Sequence, residues 1–365
     1  MVKKPMKPLI CNFSSLSTSN GDSVFAARLV KAIEPLQAIT FHNDLRTPLL
    51  PKETNLEAKT KFNEIYWISP KHLKKFLDTL RTCDVIHLSP FNFSDILIAC
   101  VLKILRKKIL FTMHANIHFK IKTVVKILEG LRFIINYNFY VLVSDRIVFV
   151  TRAQRQAFLA YCPWRKTVRR KSVVIHNAIE RERIIPVRNH ESSFLSVLFV
   201  GRLERGKGIY DLLKVAKQVE KEDIHFFVAG RGDPFLESNA YPNVTFCGNV
   251  PNEELYSLYD RSDLLIVPSY AEAFGIVILE AMARGLTILA SDLPCIREFL
   301  QERRNAYFFP VGDTEAMISR IRYLQQNRQE LNRMGKNNLM DVRRFTVENQ
   351  ARRYRDLYEE LTRHD

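Results

Sequence analysis

Short, uninterrupted apolar runs alternate with longer amphipathic stretches along almost the whole chain. The runs Leu9–Phe13, Asp84–Leu88, Ile109–Met113, Ile147–Val150, Val173–Ile175, Leu195–Val200, Ile224–Ala229, Leu264–Val267 and Thr287–Ala290 are rich in Val, Ile, Leu and Phe and do not alternate with polar residues. This is the pattern of parallel strands covered on both faces. Between them, Val24–Ile33, Ile96–Leu105, Lys122–Leu142, Tyr210–Val219, Glu253–Tyr259 and Ile276–Ala283 carry apolar residues at helical spacing. The tail, Arg343–Asp365, reads as a charged amphipathic helix with no strand after it. Strand–helix alternation on this scale predicts an α/β architecture built on parallel sheets.

The pattern breaks near residues 178–194, a charged stretch that contains Pro186 and has no clean period. We read two Rossmann-like domains: residues 1–178, a linker over 179–194, a second domain over 195–345, and a final helix over 346–365 that packs back on the first. A polar stretch, Asn43–Asn63, reads as an irregular excursion from the first domain. In such folds ligands bind at the carboxyl ends of the strands, so the default site is a cleft between the domains.

Composition narrows the class. No run of about 18 apolar residues is free of charge, which argues against a membrane-spanning helix. The basic start is followed by no apolar signal region, which predicts a cytoplasmic protein. The six cysteines are scattered without a Cys-x-x-Cys pair, so free thiols in a reducing compartment are expected.

Three strings can carry chemistry. In the first, a buried strand ends at Val267, a short loop carries Glu272, and a helix starts at about Gly275 and carries Glu280. Free N–H groups and the positive dipole end at that helix start attract an anion such as phosphate. Glu272 can accept hydrogen bonds from sugar hydroxyls, and Glu280 projects near the same side about two turns later. The plainer alternative makes Glu272 an N-terminal helix charge and Glu280 a solvated helix residue. The second string, Gly201-Arg202 through Gly206-Lys207-Gly208, follows a strand and offers two cations to a diphosphate. Its spacing nearly matches a P-loop, but Gly208 stands where a P-loop needs Ser or Thr. The third, Gly230-Arg231-Gly232, lacks the third glycine of a dinucleotide fingerprint.

Taken in order, these strings resemble the retaining glycosyltransferases of the GT-B fold, family 4. The resemblance covers about residues 195–310 closely and the first half loosely. It implies two Rossmann-like domains facing each other across a cleft. It also implies transfer of a sugar from a nucleoside-diphosphate sugar to a glycan or lipid-linked acceptor, with retention of configuration, in cell-surface polysaccharide or glycolipid synthesis. Residue by residue, it implies that Arg202 and Lys207 hold the donor diphosphate and that Glu272 hydrogen-bonds the donor sugar. Gly201 and Gly230 belong to the two glycine loops, and Phe274, Gly275 and Ile276 present backbone N–H groups. Glu280 binds the ribose, and Val250 meets the base through its main chain. Gly21 stands in the loop after the first strand, where the family usually carries two glycines. His114 ends a strand where the family places a histidine near the reacting sugar. His118 follows four residues later; no acidic ligand accompanies the pair, and a hydrogen-bonded loop histidine is the alternative reading of His114. No cofactor or metal is implied: cations and a helix N-terminus stabilise the leaving diphosphate, and the chain contains no Asp-x-Asp.

The charge is unevenly placed. Residues 1–190 carry 32 Lys/Arg against 13 Asp/Glu, a net +19, whereas residues 191–365 carry 23 against 26, a net −3. A basic half suggests a polyanionic partner. The cluster Lys120/Lys122/Lys126/Arg132 lies beside an apolar stripe, which suggests contact with an anionic inner membrane leaflet; a core-facing helix with a solvated basic face is the alternative. Nucleic acid is disfavoured because no binding motif accompanies the charge. Two other readings remain: a nucleotide-sugar-binding protein without catalysis, and a basic RNA-binding α/β protein.

Overall fold

The computed structural model describes residues 8–12, 28–29, 32–33, 37–42, 62–66, 78, 80–89, 94–114, 138–185, 193–232 and 241–363. Outside them lie Gly21 and its loop, nearly all of the 43–63 excursion, His118, and the part of the expected 122–142 helix that carries Lys122, Lys126 and Arg132. The chain divides into two compact units, residues 1–176 with 347–365, and residues 177–346.

In the first unit, β1 (Pro8–Asn12), β2 (Gln37–His42), β3 (Phe62–Tyr66), β4 (Val85–Ser89), β5 (Lys108–Met113), β6 (Arg146–Phe149) and β7 (Ser172–Val174) form one parallel sheet in the order β3-β2-β1-β4-β5-β6-β7. Among its described helices are α1 (Ser94–Ile104), α2 (Arg152–Tyr161) and α3 (Arg165–Lys171). Side chains along each central strand alternate between the two faces. Ile86, Leu88, Ile109, Phe111, Met113, Ile147 and Phe149 join one core with Ala99 and Leu102 of α1, Phe158 of α2 and Val168 of α3. Val85, Leu110 and Val148 point the other way and meet the last helix. Both sides are buried, which is why the sequence shows largely continuous apolar runs instead of alternation.

In the second unit, β8 (Leu195–Val200), β9 (Ile224–Ala229), β10 (Val244–Gly248), β11 (Leu264–Val267), β12 (Thr287–Ser291) and β13 (Ala306–Phe309) are parallel in the order β10-β9-β8-β11-β12-β13. The helices are α4 (Ile209–Gln218), α5 (Asn252–Asp260), α6 (Ile276–Ala283), α7 (Thr314–Gln326) and α8 (Arg328–Asp341). The strand order reverses between β8 and β11, so the loops leaving these two strands meet at a topological switch point. Residues 179–185 pack in this unit: Ile179 N donates to Phe345 O (2.8 Å) and Ile185 N to Ala283 O (3.0 Å).

The last helix, α9 (Val347–Thr362), belongs to the first unit. It buries Val347, Gln350, Ala351, Tyr354, Leu357, Tyr358 and Leu361, a helical stripe of i, i+3, i+4 spacing. A polar chain runs beneath it. The buried His87 of β4 pairs its Nδ1 with Tyr358 Oη (2.7 Å) and its Nε2 with Thr112 Oγ1 (2.7 Å), and Thr112 in turn meets Tyr354 Oη (3.2 Å). Burial, with a smaller push from His114, lowers the imidazole to about 3, so this histidine is neutral in the folded protein.

Among the described helices, none is long and apolar enough to cross a membrane.

Candidate functional site

The two loops at the β8/β11 switch point are fastened together by backbone. After β8 the chain runs through Gly201, makes a 3-10 turn over Arg205–Lys207, and enters α4 through Gly208 at φ +76°. A Cβ on Gly208 would lie 2.0 Å from the Pro268 carbonyl oxygen, so only glycine lets the β8 loop come this close to the β11 loop. Tyr270 N closes the contact by donating to Gly206 O (3.0 Å). On the other side, a Cβ on Gly230 would fall 1.7 Å from the Gly201 carbonyl oxygen, and Gly230 N donates to Gly248 O (2.8 Å). The two glycine loops are therefore packed backbone on backbone.

This packing sets the charges. Lys207 Nζ donates to Glu272 Oε1 (2.6 Å), and the buried Ser269 Oγ donates to the same oxygen (2.7 Å). Glu272 is only 9% exposed and Lys207 24%, so the pair sits at a boundary where charge is incompletely screened. Cys295 Sγ donates to the Glu272 carbonyl oxygen (3.2 Å); burial and the neighbouring carboxylate push this thiol up to about 12, which keeps it protonated.

Phe274 is buried and stacks on Phe299 (centroids 4.7 Å apart), with Phe345 edge-on at 6.4 Å. This ring cluster anchors the segment from Glu272 to α6, so Phe274 turns its side chain to the core and leaves its main chain at the loop. Gly275, at φ +85°, precedes α6; no side chain caps that helix start and its first turn contains no acid. Five residues on, Glu280 Oε2 accepts from Tyr259 Oη of α5 (2.9 Å). Tyr259 is fully buried, and burial together with Glu280 raises its hydroxyl well above the ordinary tyrosine range, so it acts as a fixed donor.

Lys207, Glu272, Gly275 and Ile276 thus meet around one switch point with Gly201 and Gly230 behind them, and Glu280 follows along α6. Arg202 does not join them: its side chain is 72% exposed and pairs with Glu204 (2.8 Å). Val250 is half-buried just beyond β10. His114 is half-buried at the carboxyl end of β5, in the first unit. Among the described residues, no group of three or more His, Cys, Asp or Glu could hold a metal ion. Sequence reading passed over Ser269, Tyr259 and Cys295. Ser269 was findable, three residues before Glu272. Tyr259 and Cys295 lie 21 and 23 residues from their partners, a distance at which only the fold makes neighbours.

The family "Glycosyl transferases group 1" matches residues 180–339, a stretch that falls within the second unit. Among similar proteins, an uncharacterized glycosyltransferase of Methanocaldococcus jannaschii, MJ1607, is 37% identical over 117 residues, 30% of each chain. A second from the same organism, MJ1178, is 23% identical over 84% of each chain. The phosphatidyl-myo-inositol mannosyltransferase of Mycobacterium leprae is 33% identical over 36% of this chain and 37% of that one. The alignments with MJ1607 and the mannosyltransferase thus span about a third of those relatives' lengths. Among solved structures, the sucrose-phosphate synthase of Thermosynechococcus elongatus superposes with a TM-score of 0.77 at 19% identity, covering 99% of this chain and 100% of that one. Anabaena Alr3699/HepE, in complex with UDP and glucose, gives 0.77 at 16% identity over 97% and 100%. At this identity the likeness shows the fold, which is GT-B.

Proposed function

We propose that the chain is a retaining glycosyltransferase of family 4. In this reading it moves a hexose-type sugar from a nucleoside-diphosphate sugar to a glycan or lipid-linked acceptor on the cytoplasmic face of a membrane, in polysaccharide or glycolipid synthesis. The observation that carries the reading is the convergence of Lys207 and Ser269 on Glu272 Oε1, directly before the uncapped N-terminus of α6. Two donors on one oxygen orient the carboxylate and leave Oε2 to accept from a sugar hydroxyl. The start of α6 offers N–H groups and a partial positive charge to a diphosphate. Lys207 supplies a full charge at the same place, and Arg202 adds another by exchanging Glu204 for the diphosphate. As the bond between the sugar and the diphosphate breaks, negative charge grows on the leaving oxygen, and these groups meet it already in position. Glu280, held by Tyr259, is placed to accept from ribose hydroxyls, with Val250 facing the base through its main chain. His114 of the first unit is assigned to the reacting sugar, and Gly21 to donor binding. With three sources of positive charge, the reaction as proposed needs no divalent ion. The bound UDP and glucose of HepE and the mannosyltransferase activity named for the Mycobacterium leprae relative support a nucleotide-sugar donor and a lipid acceptor.

A panel of UDP-, GDP- and ADP-sugars, screened by thermal shift with EDTA present, tests the donor half: one stabilising donor is expected, and none at millimolar concentration would sink the reading. Glu272→Gln then separates an enzyme from a binding protein. An enzyme loses turnover by about 100-fold or more while the donor still binds.

A further inference from the structure

We propose that Arg231, in the second glycine loop, is a further donor-binding residue that grips the diphosphate together with Arg202. The assignment rests on the nucleotide-sugar reading of the site and adds to it a cation which that reading leaves unused.

Backbone register places the residue. β8 and β9 pair in parallel, with Val200 opposite Ala229. The pairing continues past both strand ends: Gly201 N donates to Ala229 O (3.0 Å), Leu203 N donates to Arg231 O (2.9 Å), and Leu203 forms a parallel bridge with Gly232. The register is the same on either side, so Arg202 stands directly opposite Arg231. A Cβ on Gly232 would lie 2.3 Å from the Leu203 carbonyl oxygen, just as one on Gly230 would strike that of Gly201. Glycines on both sides of Arg231 thus let the loops close, and they bring the two arginines to the spacing of adjacent strands, about 4.8 Å.

Alternation fixes the face they share. Phe199 and Leu203 on one segment, and Phe226 and Val228 on the other, enter the core covered by α4. Arg202 and Arg231 therefore project from the opposite face of the ladder. Right-handed crossovers that leave a switch point in opposite directions put their helices on opposite faces, so the arginines share the face of α6. The uncapped start of that helix, with the Glu272 loop before it, is on their side of the sheet.

Charge identifies the ligand. Two like charges held this close repel each other. Among the described residues, Glu204 pairs with Arg202 (2.8 Å), and none forms an ion pair with the exposed Arg231. A diphosphate supplies the missing counter-charge, and each guanidinium can offer a phosphate two parallel N–H donors. One phosphate engages one arginine; two linked phosphates engage two arginines side by side.

The test is calorimetric titration of UDP, GDP and ADP, and of the matching nucleoside monophosphates, into the full chain. For the diphosphate that binds, Arg231→Ala is expected to raise Kd about tenfold or more, the weight of one hydrogen bond to a charged group, and to raise the monophosphate's Kd much less. Lys217→Ala, which removes an exposed cation from α4 on the other face, is expected to leave Kd unchanged. Both positions are exposed, and an unaltered circular dichroism melt shows that each variant folds. Three results would overturn the role of Arg231 while leaving the donor site standing: an unchanged diphosphate Kd in Arg231→Ala, an equal loss for monophosphate and diphosphate, or an equal loss in Lys217→Ala. Failure of all three diphosphates to bind the unaltered chain would overturn both.

Discussion

Lowering the pH from 7 to 5 should cost the first unit about 2 kcal/mol through one side chain, His87. In the folded protein its imidazole is lowered from 6.5 to about 3 by burial, and both ring nitrogens are held by hydroxyls of Tyr358 and Thr112. Unfolding exposes the ring to water and restores its ordinary affinity for a proton. Below pH 6.5 the unfolded chain therefore binds a proton that the folded one refuses. Stability present at pH 7 is lost as the pH falls, and the loss continues to about pH 3. Integrating between the two values gives about 2 kcal/mol by pH 5 and about 3 by pH 4. The assay is selective because the chain's two tryptophans, Trp67 and Trp164, both belong to the first unit, so their fluorescence follows that unit in urea titrations. Other groups also titrate in this range, so the informative quantity is the difference from His87→Asn, which is polar but does not titrate. A wild-type slope between pH 7 and 5 no steeper than that of His87→Asn would refute the argument.

Tyr259→Phe removes the hydroxyl on Glu280 Oε2, a bond to a charged group worth about 1.5–3 kcal/mol. Donor KM should rise by roughly 10-fold or more, and by much less for a 2′-deoxyribose donor; equal effects on both donors would remove Glu280 from the ribose. Gly208→Ala forces a Cβ into a left-handed conformation, about 1–2 kcal/mol by itself, and against Pro268 O at 2.0 Å. The expected result is a lowered melting temperature together with lost donor binding; unchanged donor affinity would mean that the two loops need not touch. Lys207→Ala should lower kcat by about 100-fold or more with little loss of fold, measured as turnover against thermal shift. Cys295, buried and pushed up to about 12, should resist iodoacetamide in the native protein at pH 8, as read by peptide mass mapping; labelling as fast as that of the half-buried Cys100 would contradict its burial.

The fold was readable where burial wrote an uninterrupted apolar run. Leu195–Val200, Ile224–Ala229 and Leu264–Val267 have the observed bounds because parallel strands covered on both faces leave few polar positions, here only Ser196 and His225. Helix α6 was found for a related reason: almost every residue in it is apolar. Among the elements that escaped, two have little to bury. Helix α3 covers only Val168 among five cations, and α8 rests on Leu331, Met334, Gly335 and Asn338 in a largely polar sequence. Strand β13 escaped too: its run, Ala306–Phe309, follows a polar turn and holds no Val, Ile or Leu to mark it as a strand. At the site, Glu272, Lys207 and the glycines could be named because they fall at loop–helix junctions that local sequence reveals. What could not be read is which side chain each one holds. Arg202 and Lys207 looked alike as loop cations, yet Lys207 reaches Glu272 and Arg202 turns to Glu204. That choice is made by Gly208 and Pro268, 60 residues apart in sequence and in contact only after folding.

The return of α9 to the first unit has a consequence during synthesis. Val85, Leu110, Val148 and the His87–Thr112 pair are translated early, but their cover, residues 347–361, comes after the whole second unit. At 5–20 residues per second the ribosome needs roughly 10–30 s to pass through residues 177–346. For that time the first sheet has one apolar face without its lid and an imidazole without its tyrosine, while the second unit already has all the residues it needs. A nascent chain released early would therefore carry a finished second unit on an unfinished first one. The exposed sheet would mark that product for chaperones or proteases until residues 347–361 have been made and folded over it.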